Sequence, residues 1–206
     1  MGMLFRDFAR DLRARKHDII AAVLVFGIGI YAGFTSDHLG GWLEGEVESI
    51  GNIADLLERM PYPQLMFFLF IFLNNLVKSL LFVFLGAFFG LFPLVSLLIN
   101  GMVIGYLSAS TMAHGGNLAQ MIVLGILPHG IIELPMVLLA SAYGLRFGVL
   151  TGKWAFSFAV LPWRQKVAGE LRHFFRMTLP LMLVLTVGLL VAAVIESTVT
   201  YSLMGH

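Results

Sequence analysis

Five long apolar stretches constrain what this chain can fold into more than any other feature of its sequence. They cover residues 19–36, 65–92, 94–113, 121–145 and 179–201. Each is close to the ~20 residues that an α-helix needs to cross ~30 Å of hydrocarbon. Charged residues make up only 12% of the chain, about half the share found in a soluble domain. The sequence therefore predicts an all-α integral membrane protein and argues against a soluble enzyme or a nucleic-acid-binding protein.

The charges between these stretches predict how the chain crosses the membrane. The juxtamembrane segment 1–18 has a net charge of +2, the loop 37–63 of −5 and the segment 146–178 of +5. We expect the whole chain to form one domain in the cell membrane. Basic flanking segments remain in the cytoplasm. The N-terminus is then cytoplasmic, and the loop 37–63 and the C-terminus are extracytoplasmic. The alternative to five spans is a sixth through 147–161, which is short and contains a lysine.

Two segments between the spans are predicted to form amphipathic helices on the membrane surface. Segment 42–60 separates apolar from acidic side chains, and segment 163–176 separates apolar from basic ones. The apolar residues of the first segment are Val47, Ile50, Ala54, Leu57 and Met60. We expect the second helix to lie on the cytoplasmic leaflet, where the anionic lipids of the bilayer are its partner.

Polar residues within the spans are the candidates for a functional site, because an ionisable group there costs ~2.5–3.5 kcal/mol on insertion scales. The predicted intramembrane cluster consists of Asn74, Asn75, Lys78, Asn100, His129 and Glu133. At ~1.5 Å per residue, Lys78, Asn100 and Glu133 reach one level about 20 Å from the outer ends of their spans. We therefore predict a charge pair between Lys78 and Glu133. Arg146 and Glu196 are assigned instead to the inner and outer ends of their helices.

The fourth span is expected to be interrupted on either side of Glu133. Pro128 and Pro135 each remove a backbone hydrogen-bond donor, and Gly130 lies between them. Backbone groups freed at membrane depth are tolerated only where protein or water satisfies them. The interruption therefore favours a protein-lined or water-lined environment for this part of the span.

Glycines recur at spacing four within and beside the spans. Such pairs allow two helices to approach closely. They are Gly29/Gly33, Gly86/Gly90, Gly101/Gly105, Gly144/Gly148 and Gly148/Gly152. Together they predict a tightly packed bundle and are compatible with a homodimer.

Motifs of catalysis and metal binding are absent from the sequence. The chain has no Cys, and no second His lies near His129 and Glu133 to complete a zinc site. Neither Gly-x-Ser-x-Gly nor His-Glu-x-x-His occurs, and there is no P-loop or dinucleotide fingerprint. We therefore expect no metal, no cofactor, no catalytic residue and no enzymatic activity.

The order of polar and glycine motifs is similar to that of a known family. The motifs are Asn74-Asn75, Gly86 and Gly90, Asn100-Gly101 with Gly105, Leu127-Pro128-His129-Gly130 with Glu133, Gly144-Leu145-Arg146 with Gly148, and Ala192-Ala193-Val194-Ile195-Glu196. Over roughly 65–200 the chain resembles the stage II sporulation protein M family of multi-pass membrane proteins. The Leu-Pro-His-Gly-x-x-Glu and Gly-Leu-Arg-x-Gly motifs are the specific part. After Glu196 the chain departs from the family pattern, because Ser197-Thr198-Val199-Thr200 stands where an aromatic residue and Thr-Pro are expected.

The resemblance implies a non-enzymatic membrane component. In endospore formers such a protein is tied to engulfment and holds cell-wall hydrolases at the septal membrane, although the family is wider than sporulating organisms. Our leading hypothesis is a scaffold that recruits extracytoplasmic envelope proteins through 37–60. The alternative is a small transporter or channel that uses the intramembrane cluster, and an intramembrane enzyme is the third hypothesis. The cluster could equally serve only to hold the helices together.

Overall fold

The computed structural model describes residues 2–36, 40–157 and 161–203. The helices are α1 (Gly2–Ala14), α2 (Lys16–Thr35), α3 (Gly40–Glu58), α4 (Pro63–Leu85), α5 (Leu91–Ala113), α6 (Leu118–Gln120), α7 (Leu127–Phe156) and α8 (Leu161–Leu203), and a π-helical segment, Met121–Ile126, joins α6 to α7. Within the described ranges, α2, α4, α5, α7 and α8 contain segments long and apolar enough to cross a membrane. The predicted all-α membrane bundle with five spans is therefore confirmed.

The boundary between the second and third spans lies earlier than the hydropathy predicts. Helix α4 ends at Leu85 rather than near residue 92, and α5 begins at Leu91. The chain reverses direction in the turn 86–90, where Phe89 and Gly90 have left-handed backbone angles (φ 53° and 74°). Glycine adopts this conformation at little cost, so an apolar sequence can turn here without any polar residue to mark the position.

The fourth and fifth spans are longer than their apolar cores. Residues 147–156 continue α7, so the alternative of a separate sixth span through 147–161 is wrong for the described part of this segment. The predicted basic helix 163–176 is helical, but it is the first part of the continuous helix α8. Charged side chains can extend a helix beyond the hydrocarbon because their long stems reach water.

The predicted interruption of the fourth span takes a different form. Pro135 lies inside the continuous helix α7, so the helix is not broken on that side of Glu133. On the other side, the π-helical segment Met121–Ile126 ends directly before Leu127. A π-helical turn shifts the hydrogen-bond pattern by one residue, and this shift takes place just ahead of Pro128, which lacks a donor.

Helices α2 and α5 pack backbone against backbone. A Cβ atom on Gly33 would meet the backbone of Met102, and one on Gly105 would meet the carbonyl of Ile30. Only glycine permits such an approach, because any side chain would push the helices apart. The predicted glycine pairs therefore serve packing within the chain, and the homodimer stays a prediction.

Helix α7 contacts α4 through the same kind of interface. A Cβ on Gly86 would meet the backbone of Gly144, and one on Gly148 would meet the backbone of Gly90. Because residue numbers rise together along both helices, α4 and α7 run parallel. Helix α8 contacts both of them and runs antiparallel to α7. Its buried side chains facing the core include Leu181, Leu185 and Leu189.

The two ends of the bundle differ in charge. Helix α1, the turn 86–90, the last turns of α7 and the first turns of α8 lie together at what we call the basic end. There the ring of Phe8 lies 6.4 Å from that of Tyr143. The opposite, acidic end carries α3, which packs against α4 and α5 through the buried Leu43 and Leu57.

The outward surface of α3 is strongly acidic. Its exposed carboxylate side chains are Glu44, Glu46, Glu48, Asp55 and Glu58. The predicted apolar face is only partly buried, because Ile50 is 58% exposed although Leu57 is buried. Leu43, which the predicted set did not include, provides the second buried contact.

Candidate functional site

The intramembrane site centres on Glu133 of α7. Asn75 and Lys78 on α4 lie close enough to Glu133 to interact with its carboxyl group. Glu196 of α8 lies near enough for its carboxylate to interact electrostatically with that of Glu133. We call Asn75, Lys78, Glu133 and Glu196 the span cluster. It joins three helices, and it holds two acidic groups against one basic group.

The parallel packing of α4 and α7 explains why these residues meet. On α4, Asn75, Ser79 and Gly86 recur at spacings of four and seven, so they share one face of the helix. On α7, Glu133 and Gly144 share a face in the same way. Because Gly86 contacts Gly144, the two faces point at each other, and Asn75 and Glu133 lie near each other about three turns from that contact.

The other members of the predicted intramembrane cluster are placed as follows. Asn74 donates to Asn75 Oδ1 at 3.3 Å, beside the span cluster. Asn100 of α5 donates to the Ser96 carbonyl of its own helix at 2.9 Å, so this amide is used within α5. The side chains of Pro128 and His129 lie outside the described residues.

Glu196 is the residue whose surroundings the sequence did not reveal. It was assigned to the outer end of its own helix, apart from the predicted cluster. In the structure Glu196 does lie near the end of α8, and because α8 returns antiparallel to α7 this end is also within electrostatic reach of Glu133. Glu133 and Glu196 are 63 residues apart in the sequence, so no local spacing predicts that they lie near each other.

A second polar cluster lies at the basic end, around Asp11 of α1. Asp11 Oδ2 accepts hydrogen bonds from Arg15 Nε and from the Tyr143 hydroxyl, each at 2.6 Å. Asp11 Oδ1 accepts one from His173 Nε2 at 2.9 Å. We call Asp11, Arg15, Tyr143 and His173 the Asp11 cluster. It fastens α1 to α7 and α8.

The electrostatics of the Asp11 cluster favour an ionised carboxylate. Burial raises the pKa of Asp11, but the hydrogen bonds from Arg15, Tyr143 and His173 outweigh burial, so the pKa lies below its ordinary value of 3.8. The buried Arg15 Nη1 has no hydrogen-bond acceptor. The Arg15 guanidinium instead lies 4.4 Å from the centroid of the Tyr143 ring, where the face of the ring attracts a cation.

Sequence reasoning missed the Asp11 cluster, although part of its signal was present. Asp11 and Arg15 are four residues apart and share a helix face, and Phe8 precedes Asp11 by one turn. This spacing predicts a local ion pair. It does not reveal the partners on α7 and α8, because Tyr143 and His173 follow Asp11 by 132 and 162 residues.

Arg146 lies in an ion-pair network beside the Asp11 cluster. Its Nη2 atom lies 3.1 Å from Glu170 Oε2, and Lys153 Nζ lies 3.2 Å from the same oxygen. The sequence assigned Arg146 to the inner end of its helix, and the structure places it at the basic end. Because all three side chains are partly exposed, the network contributes little stability, but it fixes the start of α8 against α7.

The span cluster places two carboxyl groups and one ammonium group within membrane-spanning helices. Lys78 supplies a positive charge near Glu133, and Glu196 adds a second acidic group within electrostatic reach. In the part of the chain that the structure describes, no group of three His, Cys, Asp or Glu side chains could hold a metal ion. The sequence-based expectation that the protein needs no metal or cofactor stays a prediction.

Comparison with protein families identifies a match for most of the chain. The family model described as stage II sporulation protein M matches residues 22–201, which cover α3 to α7 and most of α2 and α8. No curated protein matches the chain, and no solved structure does.

Proposed function

Since the chain belongs to the stage II sporulation protein M family, we propose that it is a non-enzymatic membrane scaffold that holds an envelope partner at its acidic end. The family is not a known family of enzymes, and the chain is a multi-pass membrane protein. The positive-inside rule supports an orientation with the basic end in the cytoplasm and α3 outside the cell.

The observation that carries this proposal is the way α3 is held. Leu43 and Leu57 are buried near the two ends of the helix, so α3 is fixed across the ends of α4 and α5. Its carboxylates remain exposed. A surface that is already ordered loses less entropy when a partner binds, and a row of acidic groups favours a partner with a basic surface.

Site-specific photo-crosslinking in native membranes tests the proposal. A photoreactive residue at Ser49 or Asn52, both exposed on α3, should crosslink to an envelope protein with a basic surface. Combining Glu44→Lys, Glu48→Lys and Asp55→Lys should abolish that crosslink, because like charges would then face each other.

Gly45→Ala provides the matched control, since an added Cβ there meets no atom within 4 Å. It should leave the crosslink intact. Because Leu43 and Leu57 stay in place, the charge-reversed variant should still insert and fold. A crosslink that survives charge reversal in a folded variant would contradict docking through α3.

Transport is a second candidate function, which the span cluster favours. Three ionisable groups within membrane-spanning segments are a functional signal by default, because each costs energy to insert. If the cluster carries a solute or ion, Glu133→Gln should abolish flux into proteoliposomes. A wild-type protein that moves no member of a broad solute and ion panel would remove this candidate.

A further inference from the structure

The outward face of α1 carries a row of arginines at the basic end. Arg6, Arg10 and Arg13 are all exposed, and their spacings of four and three residues place them within about 60° of the helix circumference. The row extends about 10 Å along the helix axis. We call Arg6, Arg10 and Arg13 the arginine row. It takes no part in docking through α3.

The opposite face of α1 is fixed to the bundle. Phe8, Asp11 and Arg15 are buried and lie roughly opposite the arginine row on the helix circumference. The Tyr143 hydroxyl and His173 Nε2 hold the Asp11 carboxylate at 2.6 Å and 2.9 Å. Because these contacts fix the rotation of α1 about its own axis, the arginine row is held facing away from α7 and α8.

The helical register of α1 continues into α2. A single residue, Arg15, separates the two helices. Its backbone N–H still donates to the Asp11 carbonyl, and its carbonyl still accepts from the N–H of Ile19, each at 3.0 Å. Both bonds have the spacing of an α-helix, so residues of α1 and α2 can be compared on one circumference.

The lipid-facing surface of α2 begins on the side where the arginine row ends. Ile20, Leu24 and Ile28 are 52%, 60% and 59% exposed, and at 100° per residue they fall on the same side as the row. Arg13 precedes Ile20 by about 10 Å along the chain. A headgroup layer about 5–8 Å thick lies outside the hydrocarbon, so the row is placed where lipid headgroups adjoin the bundle.

Positive charge prevails around the arginine row. The residues of segment 6–18 that are not buried include four basic and two acidic side chains. One of the acidic ones, Asp7, lies 3.5 Å from Arg10 and 3.9 Å from Arg176 of α8, so two guanidinium groups share this carboxylate. The excess charge favours an anion, and guanidinium groups bind phosphate through paired hydrogen bonds.

We propose that the arginine row binds the phosphate groups of anionic lipids in the leaflet that adjoins the basic end. Position and charge complementarity both favour lipid as the occupant, because basic groups beside a span are attracted to anionic headgroups. Helix α1 is then held at the membrane surface on two sides, by the Asp11 cluster and by lipid. The sequence pattern predicted an anionic-lipid contact for segment 163–176, whereas the row lies on α1. The proposal does not depend on the scaffold role.

Lipid selectivity measured next to α1 tests the proposal. Since the chain has no Cys, Ala14→Cys provides a single labelling site at an exposed position one turn after Arg10. The fluorescently labelled full chain is reconstituted in phosphatidylcholine vesicles that contain spin-labelled phosphatidylglycerol or spin-labelled phosphatidylcholine as the quencher. We expect the anionic quencher to act about fivefold more strongly at equal mole fraction. Equal quenching would overturn lipid binding and leave an acidic protein as the occupant.

Neutralising the arginine row should remove this preference. In the labelled protein, Arg6→Gln with Arg13→Gln should lower the ratio of anionic to zwitterionic quenching by about threefold or more. Arg6→Lys with Arg13→Lys should keep most of the ratio, because the charge remains. A ratio unchanged by the two Gln substitutions would overturn the proposal.

The matched control is Arg164→Gln with Lys166→Gln on α8. It removes the same charge from exposed side chains, and Lys166 precedes His173, the contact of α8 with α1, by about 10 Å. The ratio at the α1 label should stay at the wild-type value. An equal fall in both pairs would assign the preference to net charge and overturn a site on α1.

Salt provides a second readout that a purely structural role of the arginines would not change. Exposed charges are screened over about 8 Å at physiological ionic strength and over about 3 Å at 1 M. The wild-type ratio should therefore fall towards that of the variant Arg6→Gln with Arg13→Gln as salt rises. A ratio that does not respond to salt would overturn binding by charge. Crosslinking through α3 is measured separately, so either proposal can fail without the other.

Discussion

The Asp11 cluster and the span cluster use similar residues in opposite ways. Both oxygens of the Asp11 carboxylate accept hydrogen bonds at 2.6–2.9 Å. In the span cluster, Glu133 lies within electrostatic reach of Lys78 and of Glu196, and the hydroxyls of Ser79 and Ser141 on the same helices as Lys78 and Glu133 have no partner. A satisfied buried network stabilises one arrangement, whereas an unsatisfied one retains the capacity to bind a proton or water.

This contrast indicates that the Asp11 cluster stabilises the fold and that the span cluster serves a function. If it is right, removing a polar group from the Asp11 cluster should cost stability, and removing the hydroxyl of Ser79 or Ser141 should cost little. Measured free energies of unfolding therefore test the comparison. The loss should be largest for Asp11, which has the most hydrogen-bond partners, and smallest for Ser79 and Ser141, which have none.

The largest effect is expected for Asp11→Asn. The substitution leaves Arg15 buried without its counter-ion, and losing one member of a buried ion pair typically costs ~3–5 kcal/mol. We expect a loss of about 3 kcal/mol in the free energy of unfolding in detergent micelles. Asp7→Asn is the control, because its side chain is 41% exposed, and it should change stability by less than about 0.5 kcal/mol. Equal losses in the two variants would refute a structural role for Asp11.

Tyr143→Phe should have a smaller effect of the same kind. It removes the hydroxyl that donates to Asp11 at 2.6 Å but keeps the ring beneath Arg15. A hydrogen bond to a charged group contributes about 1.5–3 kcal/mol, so we expect a loss of about 2 kcal/mol. The same substitution at Tyr31, which is 71% exposed, should be neutral. A neutral Tyr143→Phe would mean that Asp11 does not need this donor.

Acid should weaken the Asp11 cluster only at low pH. The pKa of Asp11 is lowered in the folded protein, so its stabilising contribution is present above the unfolded value of 3.8 and is lost as the pH falls through the folded value. The stability difference between wild type and Asp11→Asn should stay constant from neutral pH to about pH 4. Below that it should shrink by up to about 1.4 kcal/mol per pH unit. A difference that shrinks already near pH 6 would contradict a carboxyl group whose pKa is lowered in the folded protein.

The smallest effects are expected at Ser79 and Ser141. Each single change to Ala removes a hydroxyl that has no partner, so stability should change by less than about 0.5 kcal/mol or rise slightly. Thr178→Val, which removes a hydroxyl bonded to the Phe174 carbonyl at 2.9 Å, provides the comparison within a span. A loss at Ser79 as large as that of Tyr143→Phe would break the contrast between the two clusters.

Much of the fold could be predicted from the sequence because it depends on local periodicity. Hydropathy placed the five spans, and the spacing of Gly101 with Gly105 and of Gly144 with Gly148 indicated close packing. The helix ends were less predictable. Gly90 allows α4 and α5 to reverse within an apolar run, and no composition signal marks such a turn.

The clusters were only partly predictable because they depend on which helices are neighbours. Depth arithmetic brought Lys78 and Glu133 to one level, and the structure places them within electrostatic reach. The same arithmetic placed Glu196 near the outer end of its span, where the structure also has it. It did not show that this part of α8 is within electrostatic reach of Glu133, because distance from a span's end does not tell which face of α8 meets α7. The contacts of Asp11 with Tyr143 and His173 needed the docking of α1, which no pattern within residues 1–18 specifies.

Helix α8 has a mechanical consequence, because one continuous helix carries a member of each cluster. His173 contacts Asp11 at one end, and Glu196 interacts with Glu133 at the other, 23 residues or about 35 Å away. The helix is seated on α7 partly by the flexible side chain of Met136 against Gly188, unlike the backbone contacts that lock α4 to α7. Because Pro180 lies between the two residues and a helix bends at proline, the straightness of α8 at Pro180 determines whether an axial displacement at Glu196 would reach His173.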